Sequence, residues 1–346
     1  MKVLITGGAG FLGLHLTRYF KKKGHQLTLI DIAPYSAHEY KGMGKLLRID
    51  VRDRAGIDRA IKGQDVVIHA AAALPLWKKA DIFSTNVQGT ENVLRSSLKH
   101  KIKRVVYISS TAVYGVPKKH PIEETDPMMG VGAYGQSKID AEVFCRQYIE
   151  KGLPVTIIRP KTFIGTHRLG VFEILFDWIH DGKKIPMIGT GRNRYQLMDV
   201  DDLVEAVYLC TKSNDPKLND AFNIAAEKYG TVESDLGALF THANSGSKLL
   251  PFPAKPIKLA LRFFELIGVS PLYQWVYDTA DKDSFASIEK IKKTLNWRPK
   301  YSNAQALIKS YDWYQEHYQE IKSRGSGVSH TVGWKQGVLG LIKKLM

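Results

Sequence analysis

Two hydrophobic periods alternate along the first half of the chain. Short apolar runs at Lys2–Thr6, Gln26–Asp31, Lys45–Asp50, Val66–Ala70, Val105–Ser109 and Val155–Arg159 predict buried strands. Between them the spacing turns helical. Phe11, Leu12, Leu14, Leu16, Tyr19 and Phe20 predict a helix over Phe11–Lys23, which Gly24 stops. Asp53 caps a second helix running to Lys62, and Asp81–His100 and Ala133–Glu150 read as longer ones. Strands that alternate with helices predict a parallel, doubly wound sheet with right-handed crossovers.

After Pro160 the alternation loosens. Helices are predicted over Leu169–Asp181, Val200–Thr211, Val232–Thr241, Pro256–Ile267, Ser287–Leu295 and Asn303–His317, with short strands at Lys184–Ile188 and Ala221–Ile224. Pro251, Pro253 and Pro256 mark an irregular joint, and the helix that follows reads as an ordinary buried one. From Ile321 onward the chain is rich in Gly and Ser and then basic, with no acidic residue, which reads as a linker and tail over 321–346.

Composition narrows the classes. At 346 residues and 44% hydrophobic, the chain is long enough and apolar enough for one large or two coupled globular domains. Two cysteines, Cys145 and Cys210, exclude a disulfide scaffold and a four-cysteine zinc site, so no metal is expected. Lys and Arg number 50 against 34 acids, a formal net charge of +16. Much of that excess lies on ordinary helix faces such as Lys21-Lys22-Lys23, and no zinc-finger spacing or RNA-binding aromatic signature accompanies it, so nucleic acid is not an expected partner. With no signal-peptide pattern and no apolar run of roughly 20 residues, a cytoplasmic protein is expected, soluble or peripheral to a membrane.

The chemistry begins at Thr6-Gly7-Gly8-Ala9-Gly10-Phe11-Leu12-Gly13, between the first strand and the first helix. Such a turn lets backbone N–H groups approach a pyrophosphate at a helix N-terminus, where the helix dipole favours anions. Asp31 ends the second strand, where its carboxylate suits an adenosine ribose and repels a 2′-phosphate; no arginine follows it, so NAD is favoured over NADP. Asp50-Val51 ends the third strand at the edge suited to the adenine. Ala70, Ala71 and Ala72 leave room for the cofactor after the fourth, and His69 reads as a core residue. The fifth strand ends in Ser109-Ser110, and Tyr134 and Lys138 then stand at i and i+4 on one helical face. A lysine cation beside a phenol stabilises phenolate, which makes Tyr134 a general base for a substrate hydroxyl, with Ser110 holding the same oxygen.

Together these motifs resemble the extended short-chain dehydrogenase/reductase family, NAD-dependent epimerase/dehydratase type (UDP-galactose 4-epimerase-like), over Met1 to about Tyr318. Thr85-Asn86-Val87-Gln88-Gly89-Thr90, Arg159-Pro160, Asp201-Asp202 and Trp297-Arg298-Pro299 complete the resemblance. It implies a Rossmann-type doubly wound α/β fold with a smaller C-terminal α/β substrate domain. The cofactor domain is expected over 1–165 and 196–226, and the substrate domain over 166–195 and 227–320. It also implies a catalytic set of Ser110, Tyr134 and Lys138. NAD is expected on Gly7, Gly10, Phe11, Leu12, Gly13, Asp31, Asp50, Val51, Ala70, Ala71, Ala72, Asn86, Ser109, Tyr134, Lys138 and Pro160. A homodimer through helices 81–100 and 133–150 follows from the same resemblance.

Departures from the family pattern direct the choice of activity. The acidic residue that dehydratases and decarboxylases carry after the catalytic serine is replaced by Thr111 and Ala112, which leaves redox or epimerisation. An asparagine and an arginine that commonly face a nucleotide diphosphate are replaced by Lys161-Thr162 and by Tyr195, with Arg192 and Arg194 alongside. The candidate substrate residues are Trp77, Thr111, Thr162, Arg192, Arg194 and Tyr195. An NAD-dependent epimerase of a nucleotide sugar is the leading expectation. The alternatives are a dehydrogenase of a lipid or steroid-like alcohol, similar to 3β-hydroxysteroid dehydrogenases, and a non-enzymatic NAD-sensing scaffold. In the tail, Trp334, Val338, Leu341, Ile342 and Leu345 fall on one helical face with Lys335, Lys343 and Lys344 off it, a pattern suited to peripheral contact with an anionic membrane.

Overall fold

A computed structural model describes residues 1–346 except 76, 168–170, 267–273, 324–325, 328–332, 335–342 and 344–346. The first half contains β1 (Lys2–Thr6), α1 (Phe11–Lys22), β2 (Gln26–Asp31), α2 (Ala37–Tyr40), β3 (Lys45–Arg48), α3 (Arg54–Ile61), β4 (Val66–His69), α4 (Lys79–Phe83), α5 (Gly89–Lys99), β5 (Arg104–Ile108), α6 (Gly132–Glu150) and β6 (Val155–Pro160). The second half adds β7 (Phe163–Ile164), α7 (Val171–His180), β8 (Ile185–Ile188), β9 (Met198–Asp199), α8 (Val200–Lys212), β10 (Ala221–Ile224), α9 (Val232–Ala243), β11 (Leu249–Phe252), α10 (Ala254–Leu266), α11 (Gln274–Thr279), α12 (Glu289–Leu295), α13 (Asn303–Glu316) and α14 (Tyr318–Ser323).

Seven strands form one parallel sheet in the order β10-β6-β5-β4-β1-β2-β3. The order reverses between β1 and β4, and the crevice at the carboxyl ends of the strands at such a reversal is the usual ligand position in such sheets. One apolar cluster joins one sheet face to α1, α8 and α12 through Leu14, Phe20, Val204, Phe222 and Ile291. A second joins the opposite face to α3, α5 and α6 through Ile57, Leu94, Tyr107 and Cys145. A third, around Phe176, Trp178, Leu239, Tyr311 and Tyr314, packs α7, α9 and α13 beside the sheet.

Several elements differ from the sequence reading. The helix expected over Asp81–His100 is interrupted by a π turn at Ser84–Gln88, which separates α4 from α5. The joint at Pro251 contains a strand, β11, paired with β8. The chain does not become a tail at Ile321: that side chain is 1% exposed in the third cluster, at the end of α14. The helix after the proline joint is not an ordinary buried one. Leu261 is covered, but Leu259, Phe263 and Leu266 face outward. In the tail, Gly333–Trp334 pairs with Ser326–Gly327 as a short parallel ladder, so Trp334 is extended and not helical. Lys343 pairs with Asp177 on α7 and with Asp181 just beyond its end. Leu169, Ile267, Lys335, Val338, Leu341, Ile342, Lys344 and Leu345 lie outside the described residues.

Candidate active site

The glycine-rich turn closes because Gly13 has no side chain. A Cβ there would stand 2.1 Å from the Gly7 carbonyl oxygen and 2.7 Å from that of Gly8. The first turn of α1 is thereby pressed against the loop, with Phe11 and Leu12 packed beneath it, 5% and 7% exposed. The Asp31 carboxylate accepts from Ala9 N–H at 3.0 Å and from Ala33 N–H at 2.9 Å, which sets it beside the turn at the end of β2. Burial pushes its proton affinity up against those backbone donors. Behind the turn, the Thr6 hydroxyl meets His69 Nδ1 at 2.7 Å and accepts from Ala71 N–H at 3.0 Å. His69 Nε2 meets the Thr90 hydroxyl at 2.9 Å, and burial lowers the imidazole to about 3. His69 is therefore a neutral core residue that ties the β4 exit, with Ala70, Ala71 and Ala72, to β1. A backbone cradle at a helix N-terminus with a carboxylate at the next strand's end fits a dinucleotide.

On the other side of the crevice, Ser110 caps a 3₁₀ turn at Thr111–Tyr114 by accepting from Ala112 N–H at 3.1 Å. Gly135 lets α6 close on this turn, since a Cβ there would meet the Gly130 Cα at 2.9 Å and the Ala112 carbonyl at 3.0 Å. Tyr134 and Ser110 stay half-buried, while Lys138 is 2% exposed. Its ammonium donates to the Ile108 carbonyl at 2.9 Å and lies 5.8 Å from the Tyr134 ring centre and 5.1 Å from that of Tyr107. Burial brings Lys138 down to about 8, with Glu142 holding it up.

Three expected cofactor residues have their side chains committed elsewhere. Asn86 Oδ1 accepts from Ala73 N–H at 2.7 Å, and its amide donates to the Ala73 carbonyl and to the Ser137 hydroxyl at 3.0 Å. It ties the β4 exit to α6. The Ser109 hydroxyl donates to Glu142 at 2.6 Å, and the Asp50 carboxylate is bridged by Arg52 at 2.6–3.0 Å. Val51 is buried, and the Pro160 carbonyl accepts from the Thr111 hydroxyl at 3.3 Å, so Thr111 faces the end of β6.

Glu142 escaped the sequence reading, although it stands one turn beyond Lys138 on the same face. Glu142 and Arg159 form a buried pair with side chains 0% and 1% exposed. Arg159 also donates to the Tyr114 hydroxyl at 2.6 Å and to the Glu124 carbonyl at 3.1 Å, and Tyr114 donates to Asn223 at 2.8 Å. This network backs the whole Ser109–Tyr114 segment.

Of the candidate substrate residues, Thr162 and Tyr195 meet hydroxyl to hydroxyl at 3.2 Å. Lys161 lies beside them but is buried, donating to Ser284 Oγ at 2.6 Å, and burial lowers it to about 7. Arg194 lies over the Phe285 ring at 4.2 Å, and Arg192 is exposed. Trp77 is 36% exposed on the segment after β4.

The sequence profile of the NAD dependent epimerase/dehydratase family matches residues 3–225. The chain is 34% identical over 342 residues to uncharacterized protein y4nG of Sinorhizobium fredii, covering 98% of this chain and 85% of that protein. It is 32% identical over 214 residues to the N-acetyl-α-D-glucosaminyl-diphospho-ditrans,octacis-undecaprenol 4-epimerase of Escherichia coli O157:H7, covering 59% of this chain and 61% of the other. Among solved structures it is similar to the UDP-glucose 4-epimerase of Thermotoga maritima with UDP-glucose, at a TM-score of 0.78 and 22% identity, covering 92% of this chain and 100% of that one. The glycine turn, the Asp31 carboxylate and the paired Tyr134 and Lys138 all lie inside the matched span, and the chain belongs to the NAD dependent epimerase/dehydratase family.

Proposed function

We propose that the protein is an NAD-dependent epimerase of a sugar carried on a diphosphate, working through a transient keto sugar. The observation that carries this reading is the buried Lys138 ammonium beside Tyr134, held on the Ile108 carbonyl. A cation there stabilises the phenolate, so Tyr134 takes the proton from a sugar hydroxyl while the Ser110 hydroxyl holds the same oxygen. The Gly7–Gly13 turn and Asp31 would hold the cofactor. NAD supplies reversible hydride acceptance when bound there. Inversion then requires the keto sugar to turn so that its carbonyl carbon would take the hydride back on its opposite face, while Tyr134 returns the proton to the carbonyl oxygen. Residues 1–165 and 196–226 serve the cofactor in this reading, and 166–195 and 227–320 the sugar.

Diphosphate linkage is common to the Escherichia coli relative's undecaprenol-linked sugar and the UDP-glucose of the Thermotoga structure. The Thr162–Tyr195 hydroxyl pair offers hydrogen bonds to such a group, with the buried Lys161 ammonium 4.9 Å from the Tyr195 ring centre. The test incubates the protein with NAD and a panel of UDP-sugars and follows epimer interconversion by NMR. Interconversion without accumulating NADH, lost in Tyr134→Phe, is the expected result. Stoichiometric NADH formation would replace this reading with a net dehydrogenase.

A further inference from the structure

α10 carries an apolar stripe that stands exposed among the described residues. Leu259, Phe263 and Leu266 stand at i, i+4 and i+7, one helical face, and are 71%, 58% and 85% exposed. Phe264 beside them is 37% exposed. Four of the twelve large apolar side chains exposed among the described residues thus sit on this one helix. An apolar patch so concentrated marks a contact surface.

The opposite side of the helix is fastened to the body. Leu261 is buried, the Lys258 ammonium donates to the Asp278 carbonyl at 2.9 Å and pairs with Asp281, and Arg262 pairs with Asp278 at 3.2 Å. These pairs hold the stripe outward and occupy two nearby carboxylates. Lys255 is exposed on the helix, and Arg262 and Lys282 are exposed beside Asp278 and Asp281, so basic side chains stand next to the stripe.

Size and charge select the occupant. Four side chains bury a few hundred Å² at most, short of the roughly 800 Å² per partner of a stable protein interface. An apolar face rimmed by lysine and arginine is the pattern of a helix lying in a headgroup layer, and the net charge of +16 draws the chain toward anionic lipid. No described helix is long and apolar enough to cross a membrane, so the contact is with its surface.

We propose that α10 seats this enzyme on an anionic lipid surface, with Leu259, Phe263 and Leu266 entering the headgroup boundary. The segment that fastens α10 also holds the segment of the candidate substrate residues Arg194 and Tyr195. Asn193 donates to the Ala280 and Lys282 carbonyls at 3.1 and 2.9 Å, Arg194 N–H donates to Asp283 at 2.7 Å, and Lys161 holds Ser284. Docking through α10 would therefore bring a lipid surface to an element joined to the candidate substrate residues, where a lipid-carried sugar diphosphate is presented. That last step rests on the function proposed above; the docking does not.

The test is sedimentation of the full chain with phosphatidylglycerol-containing vesicles and with pure phosphatidylcholine vesicles at low salt. Wild type is expected to pellet with the anionic vesicles only. The combined Leu259→Ser, Phe263→Ser, Leu266→Ser variant is expected to lose about tenfold or more of its partitioning. Lys255→Glu with Lys282→Glu is expected to weaken binding as well. NAD affinity and any turnover of soluble UDP-sugars, measured on the same samples, should be unchanged. A wild type that ignores anionic vesicles, or a triple-serine variant that pellets equally, overturns the proposal. So does a wild-type dimer that the triple variant converts to monomer. Lack of sugar turnover in wild type counts against the epimerase reading and leaves the docking result standing.

Discussion

Replacing Glu142 by Gln removes a negative charge where nothing else can neutralise it. The Arg159 guanidinium reaches Glu142 through Nε at 2.9 and 3.2 Å and through its terminal nitrogen at 2.5 Å, with both side chains shut off from water. Breaking a buried pair by removing one partner costs about 3–5 kcal/mol, because the surviving charge stays desolvated. Arg159 keeps its bonds to the Tyr114 hydroxyl and the Glu124 carbonyl, which places Glu142→Gln near the low end, at about 3 kcal/mol. For a chain of this size that corresponds to roughly 4 °C in Tm, read by thermal unfolding without cofactor. Arg159→Met in the same background should recover part of the loss, since no buried charge is then left alone, and a double-mutant cycle should return a coupling of about 2 kcal/mol or more. The variant should also move the pH profile. Glu142 supports the charge of Lys138, so its loss lowers Lys138 below about 8 and shifts the alkaline limb of turnover to lower pH. A Glu142→Gln protein within 1 kcal/mol of wild type with an unmoved profile would refute the reasoning (threshold of roughly one hydrogen bond).

Four further outcomes are expected. Tyr134→Phe should keep the fold and NAD affinity while turnover falls by about 100-fold or more, measured by initial rates on the true substrate. NAD should bind far more tightly than NADP in calorimetry, because Asp31 is fixed beside the turn by Ala9 N–H; equal affinity would dismiss that assignment. Lys161→Met should stabilise the protein by a few kcal/mol at pH 6 and by less at pH 9. Burial lowers Lys161 to about 7 against roughly 10.4 when unfolded, so its charge penalty is full below pH 7 and fades as pH rises toward the unfolded value. Light scattering at micromolar concentration should show a C2 dimer, from the resemblance-based pairing of α5 and α6; a monomer mass would remove it.

Much of this was legible in the chain alone, for one kind of reason. The Phe11–Lys22 and Gly132–Glu150 helices, the strands between them and the Asp53 cap are written in residues that act within a turn or a pleat of one another. The same holds for the Gly7–Gly13 turn and for Tyr134 and Lys138, whose common face follows from helical geometry. The π turn at Ser84–Gln88 was not legible, because Asn86 bonds to Ala73 and to Ser137, and the latter is 51 residues away.

Tertiary packing decided the rest. Glu142 on a helix reads as surface until α6 lies on β5 and β6 and brings Arg159 and Ser109 to it. Nothing near Lys161 in sequence shows that packing closes over it with Ser284, 123 residues away, as its partner. Pro256–Ile267 and Ile321 show the converse. An apolar helical period specifies which residues share a face, but only packing determines that Ile321 is covered by α7, α9 and α13 and that the α10 stripe stays exposed. Periodicity and turn chemistry are local free energies and can be read along the chain. The burial and pairing of a given side chain depend on which elements pack against it, and that is settled by contacts between residues distant in sequence.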